Sequence, residues 1–282
     1  MTPTPGLQGD NVALTSDPRH SGSGVGASPS DFLLSLRGIS KSFGAVQAMT
    51  NVDLDIPEGQ VTALIGDNGA GKSTLIKAIS GIWAPSSGTM YWRGNEVHIH
   101  TPRAASELGI ATVYQDLALC DNLDIVQNMF LGMEDTKFGL LDEITMELAT
   151  VQTLKDLAVS TVKSVRQRVE SLSGGQRQAV AVARAVMRES KLVILDEPTA
   201  ALGVSQTAQV LALIKRLASR GISVLVISHN LSDVFAVADR IAVMYLGSIV
   251  SSGPIANYDT TSAVEIITTG ASHHAASSAS IK

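Results

Sequence analysis

Eight consecutive residues, Gly66-Asp67-Asn68-Gly69-Ala70-Gly71-Lys72-Ser73, fit the pattern G-x-x-x-x-G-K-[ST], and Thr74 follows directly. Each residue type in that pattern answers a need of phosphate chemistry. Glycines let backbone N–H groups converge on phosphate oxygens, a lysine neutralises the outer phosphates, and a serine hydroxyl can hold Mg2+. The second chemically capable group is Asp196-Glu197, two adjacent carboxylates after the apolar run Leu192-Val193-Ile194-Leu195. Alone, such a pair reads equally well as a solvated turn. A phosphate loop, however, needs an acidic partner for Mg2+, which Asp196 supplies, and Glu197 is placed to polarise an attacking water as base. Together the two groups mark a nucleoside triphosphatase of the phosphate-loop class and leave its family open.

A phosphate loop works only between a buried strand and the start of a helix. The run VTALI precedes it, and the pattern predicts a helix over 74–80 after it. Asp196 needs a buried strand of its own, for which KLVILD qualifies. Next, Ser205 to Arg220 carries Val210, Leu211, Leu213, Ile214 and Leu217 at helical spacing. Lys215, Arg216 and Arg220 fall in its last turns, Gly221 ends it, and ISVLVIS supplies a further strand. This alternation is that of an α/β fold. Upstream, FLLSL and VDLDI are strand-like between Gly, Asn, Asp and Pro turn signals. Residues 116–170 read as mostly helical, clearest at Glu143 to Ala158, which suggests a helical subdomain inserted between the α/β portions. Residues 1–30 are rich in Pro, Gly, Ser and Thr and are expected to form a disordered tail. After Ser252 the chain thins to Ala, Ser and Thr, and its last dozen residues are expected to fray.

Leu172-Ser173-Gly174-Gly175-Gln176, ahead of a predicted helix from Arg177 to Glu189, resembles the signature of ATP-binding cassette (ABC) proteins. Its serine hydroxyl and glycine N–H groups at a helix N-terminus form an anion site without a lysine. Further positions match that family in order. Phe43 in KSFG resembles the aromatic that stacks on adenine, although an aromatic near a strand is by itself more often core. Gln115 in TVYQD resembles the glutamine that reaches Mg2+ or the attacking water and links the ATP site to the helical subdomain. His229 in ISHN resembles the histidine that binds the terminal phosphate; alone, it would read as a plain helix-start residue. The resemblance covers residues 32–252. It implies a RecA-like phosphate-loop core with an N-terminal antiparallel β subdomain and an inserted helical subdomain at about 116–174, followed over 253–282 by a C-terminal helix and a flexible tail. It also implies ATP and Mg2+ as ligands, with Ser73, Gln115 and Asp196 on the metal. The signature of one subunit would cap the nucleotide on the phosphate loop of another. One position departs from the family: the segment after Glu197-Pro198-Thr199-Ala200 usually ends in an aspartate that touches the partner, whereas here Ala201-Leu202-Gly203 ends in glycine.

The stretches VYQDLALCDNLDIVQNMFLG, SLSGGQRQAVAVARAV and EPTAALGV resemble cassettes of bacterial importers for ribose, xylose and fructose. Such cassettes often occur as two fused copies; with one phosphate loop and one signature, this chain resembles the single-cassette members. The resemblance implies a homodimer under two permease subunits at the cytoplasmic face of the cell membrane, fed by an extracytoplasmic sugar-binding protein. Exporters share these motifs, as do cassettes acting on ribosomes or DNA. The short spacing from Gln115 to Leu172 leaves no room for a long coiled coil, and a net charge of −5 gives no footprint for nucleic acid. No apolar run approaches the ~20 residues of a spanning helix, and no secretory signal opens the chain. The single cysteine, Cys120, reads as a small packing residue. His98 and His100 share a face of an expected strand but lack a third ligand, so a surface strand accounts for them better than a metal site; His273 and His274 read as plain tail residues.

Overall fold

A computed structural model describes residues 28–187 and 189–271. Four apolar runs form parallel strands: β3 (Val61–Ile65), β6 (Ile110–Val113), β9 (Leu192–Asp196) and β10 (Ser223–Ile227). With β11 (Arg240–Tyr245) and the antiparallel edge strand β12 (Ser248–Pro254) they build one sheet in the order β12-β11-β3-β10-β9-β6. Successive side chains on a strand point to opposite faces, and these strands divide between two cores accordingly. Val61, Ala63, Val193, Leu195, Val224 and Val226 face one core, while Leu64, Leu192, Ile194, Leu225 and Ile227 face the other. Burial on both faces explains why these strands read as continuous apolar runs without alternation.

The first face packs under α5 (Gly174–Val186), α6 (Val204–Ser219), α7 (Leu231–Val237) and α8 (Thr260–Thr269). The second lies against α1 (Lys72–Ile79) and an antiparallel sheet. That sheet, in the order β2-β1-β4-β5, joins β1 (Leu34–Phe43), β2 (Val46–Ile56), β4 (Ser87–Trp92) and β5 (Asn95–Val97). α2 (Pro102–Glu107) leads into β6. Between β6 and α5 lie α3 (Ile125–Phe130), a small hairpin of β7 (Thr136–Lys137) and β8 (Leu140–Leu141), and α4 (Glu143–Asp156). Together these elements make an α/β fold with a second, antiparallel sheet packed against the mostly parallel one.

Several details depart from the sequence reading. The helix of the signature starts at Gly174 instead of Arg177, because Ser173 caps it: Ser173 Oγ accepts from Gln176 N at 3.4 Å, and Gln176 Oε1 accepts from Ser173 N at 2.9 Å. It stops at Val186, and Glu189 turns with φ +55° into β9. α1 starts at Lys72, two residues earlier than the periodicity indicated. His98 and His100 lie past the end of β5 with rings 5.8 Å apart and 7° from parallel. Cys120 is only partly buried, and its backbone N–H donates to the buried Asn128 at 2.7 Å. Of the expected disordered tail, residues 1–27 lie outside the described residues. Pro29–Asp31 form a 3-10 turn, with Ser28 N donating to Asp31 Oδ2 at 3.0 Å. All but one of the last dozen residues, including His273 and His274, lie outside as well.

Candidate functional site

Because β3, β9 and β10 are parallel and in register, their C-terminal ends reach one edge of the sheet together: Leu64 pairs with Ile227 and Ile227 with Asp196. In open α/β sheets ligands bind at that edge. The phosphate loop leaves β3 there. Gly66 has φ +155°, and a Cβ at that position would lie 2.2 Å from the Met244 carbonyl oxygen. Gly71 has φ +107°, and a Cβ there would press on the Met244 side chain at 2.8 Å and on the Ala48 carbonyl at 3.0 Å. Only glycine fits either site. Ala70 is buried beneath the loop, and its carbonyl accepts from Gly247 N at 2.9 Å. Asp67, Asn68 and Gly69 are exposed on its rim.

Lys72 is buried, and its Nζ donates to the carbonyls of Gly66 at 2.7 Å and Asp67 at 2.9 Å. Burial lowers its pKa, while Glu197, Asp67 and Asp196 oppose that shift. Ser73 and Thr74 follow in the first turn of α1. Asp196 is the last residue of β9; burial, then the neighbouring Glu197, raises its carboxyl above the usual range against Lys72 and Lys77. Adjacent strand residues point to opposite faces, yet both carboxylates line one cleft. The break at Glu197 makes this possible: its φ is +50°, and its N–H donates to the Ile227 carbonyl at 2.9 Å. Gln115, two residues beyond β6, is exposed and lines the same cleft with Asn68, Gly69, Gly71, Lys72, Ser73 and Thr74.

His229 follows β10, and its Nδ1 stands 2.9 Å from Glu197 Oε2. The glutamate side chain is 16% exposed and the histidine 70%, so the pair runs from the cleft wall to solvent. Ser173, Gly174, Gly175 and Gln176 do not line this cleft. They sit at the start of α5, where Gln176 Nε2 donates to the Thr161 carbonyl at 2.6 Å. Phe43 ends β1 and is 40% exposed, which removes the reading of a core aromatic.

Three supporting contacts escaped the sequence reading. Thr199 Oγ1 donates to the buried Asp233 at 2.6 Å, tying the turn after Glu197 to α7. Arg184 of α5 donates to the carbonyls of Ala118 at 2.9 Å and Leu117 at 3.3 Å, joining that helix to the segment after Gln115. The signature glycines have a packing role too: a Cβ on Gly174 would lie 2.9 Å from Leu202 Cδ2, and one on Gly175 would lie 3.0 Å from Gln206 Cβ. No local signal announces such pairs, whose members are 28 to 67 residues apart.

A family model described as ABC transporter matches residues 49–200. This chain belongs to the ABC transporter family. The cassette is 47% identical over 222 residues to the fructose import ATP-binding protein of Rhizobium meliloti, covering 76% of this chain and 85% of that one. To the xylose/arabinose import ATP-binding protein of Sulfolobus acidocaldarius it is 47% identical over 218 residues, covering 77% and 86%. A ribose import ATP-binding protein of Caldanaerobacter subterraneus is 38% identical over 224 residues, but the cassette spans only 45% of that relative. Among solved structures, a nucleotide-free ATP-binding cassette of an ABC transporter matches with a TM-score of 0.72 at 27% identity, over 83% of this chain and 98% of that one. A cassette in its ADP conformation also matches at 0.72 and 27%, over 84% and 95%.

Proposed function

We propose that this cassette hydrolyses ATP, with Mg2+, to power import of a monosaccharide through a membrane permease. The observation that carries the reading is the single cleft holding Lys72, Ser73, Gln115, Asp196 and Glu197, with His229 2.9 Å from Glu197. The import names of the relatives covered over most of their length support the substrate class. The loop glycines turn backbone N–H groups toward the phosphates, and Lys72 neutralises the outer ones. The Ser73 hydroxyl, Gln115 carbonyl and Asp196 carboxylate are the oxygen donors that Mg2+ prefers, and they would hold it. Its charge would stabilise the phosphoryl oxygens during transfer. Glu197 accepts the proton of the attacking water, and His229 holds Glu197 and binds the terminal phosphate. Phe43 stacks on the base.

Ser173, Gly174, Gly175 and Gln176 of a second cassette cap the nucleotide, so two copies assemble head to tail around two ATP molecules. Closure moves the Gln115 segment and the helices between β6 and α5, and the permease docks in the groove beside them, lined by Tyr114, Asp116, Leu117, Leu131 and Arg184. The assembly works at the cytoplasmic face of the membrane. The sugar touches the permease and an extracytoplasmic binding protein, not this chain. Glu197→Gln tests the base: it is expected to bind ATP normally while hydrolysis falls by about 10²–10⁴, and near-normal turnover would sink the assignment.

A further inference from the structure

Trp83 lies in the segment between α1 and β4 and is partly buried, yet it is not among the residues packed on either apolar core. The other tryptophan, Trp92, does pack against the core under the antiparallel sheet. A large indole held away from the core serves something other than core volume. Its ring meets that of Phe43 edge to face, with centroids 4.7 Å apart at 71°. Two cations flank the pair. Lys77 Nζ sits 4.5 Å from the Trp83 ring centroid, and the Trp83 backbone N–H donates to the Lys77 carbonyl at 3.1 Å. Lys41 Nζ lies 5.2 Å from the Phe43 centroid and donates to the Ala84 carbonyl at 2.7 Å. The turn after Phe43 enters β2, whose Ala48 carbonyl approaches Gly71 of the phosphate loop, and Lys77 belongs to α1, the helix that this loop opens.

We propose that Trp83 is a positioning residue for base binding: it locks Phe43 in the orientation that receives the nucleobase, and Lys77 holds Trp83 in turn. This rests on the reading of Phe43 as the stacking platform. An exposed phenyl ring free to turn loses rotamer entropy when a base stacks on it, and a ring already clamped does not. The edge-to-face pair sets the size of the effect at about two- to tenfold in affinity.

The test measures kcat and KM for ATP in the full chain, together with inhibition by inorganic tripolyphosphate, which carries no base. Trp83→Leu should raise KM about two- to tenfold with kcat within about twofold and tripolyphosphate inhibition unchanged. Trp83→Phe should recover most of the loss. Phe43→Ala should raise KM at least as much. A wild-type KM in Trp83→Leu beside a raised KM in Phe43→Ala overturns the inference and leaves the Phe43 platform standing. A wild-type KM in both removes the platform as well, and weakened tripolyphosphate inhibition, which marks a disturbed phosphate loop, also overturns the inference. Should Trp83→Leu not fold, Trp92→Phe leaves Trp83 as the sole indole; its emission must then respond to ATP and not to tripolyphosphate, and silence toward ATP overturns the proposal.

Discussion

At the residue scale the cleft sets stability against chemistry. Asp196 sits half-buried at the end of β9, and burial followed by the charge of Glu197 raises its pKa. The folded chain therefore holds the Asp196 proton more tightly than the unfolded chain does. Charging this carboxyl costs stability as pH rises from its ordinary value of 3.8 through the raised one, and that cost is complete above it. Asp196→Asn should raise the melting temperature of the nucleotide-free chain at pH 7 by on the order of 1–3 °C. The advantage should shrink as pH falls toward 3.8, and, on the proposed role of Asp196 at Mg2+, the variant should have lost turnover. Thermal scans from pH 7 downward check it, and a variant melting below wild type at pH 7 contradicts it. The left-handed backbone at Glu197 belongs to the same pattern, an unfavourable local conformation that brings two neighbouring carboxylates into one cleft.

At the element scale the departure at Gly203 acquires a physical account. Gly203 occupies the N-cap of α6 with φ −73° and ψ 161°, ordinary extended geometry for any residue, and a Cβ there meets nothing within 4 Å. Backbone freedom is therefore not what glycine supplies at this position. Its N–H donates to Gln206 Oε1 at 3.4 Å, but it has no side chain to return a bond to the first turn of α6. Gly203→Asp should cap that turn and stabilise the chain by a few tenths of a kcal/mol, measured by denaturant midpoint. A destabilised variant would mean that the cap site is not open. In the same region α5 runs close to α6: a Cβ on Gly174 would lie 2.9 Å from Leu202 Cδ2, a side-chain end that can swing aside, and one on Gly175 would lie 3.0 Å from Gln206 Cβ, so that a side chain there requires a small shift of α6.

At the scale of the whole molecule, the proposed head-to-tail assembly makes a direct demand, because one chain does not bring its phosphate loop and its signature together. Lys72, Asp196 and Glu197 line one cleft, and Ser173 through Gln176 stand outside it at the head of α5. Two defective chains should therefore repair each other. Lys72→Ala and Ser173→Arg should each be inactive alone, whereas their mixture should regain hydrolysis, because the mixed pair pairs one intact phosphate loop with one intact signature. A mixture as inactive as its parts would exclude head-to-tail assembly. Turnover of the wild-type chain should also rise more than linearly with its concentration.

Much of the cleft was legible in the sequence because its parts are local. The phosphate loop and the carboxylate pair each need fixed residue types within a few positions, and the apolar runs beside them betray the strands that carry them; the signature, outside the cleft at the head of α5, is legible for the same local reason. The strand interiors were legible for the same reason, since burial on both faces leaves an unbroken apolar run. What the tertiary structure decided are the meetings between distant segments: His229 against Glu197, Thr199 against Asp233, Arg184 against Leu117 and Ala118, and Trp83 against Phe43. The first two depend on the strand order and register that place the ends of β10 and β9 side by side, the third on β6 lying beside β9, and the fourth on β4 lying beside β1. Hydrophobic periodicity reports which face of an element is buried, not which element buries it. The partners of these side chains therefore became visible only once the sheet was assembled.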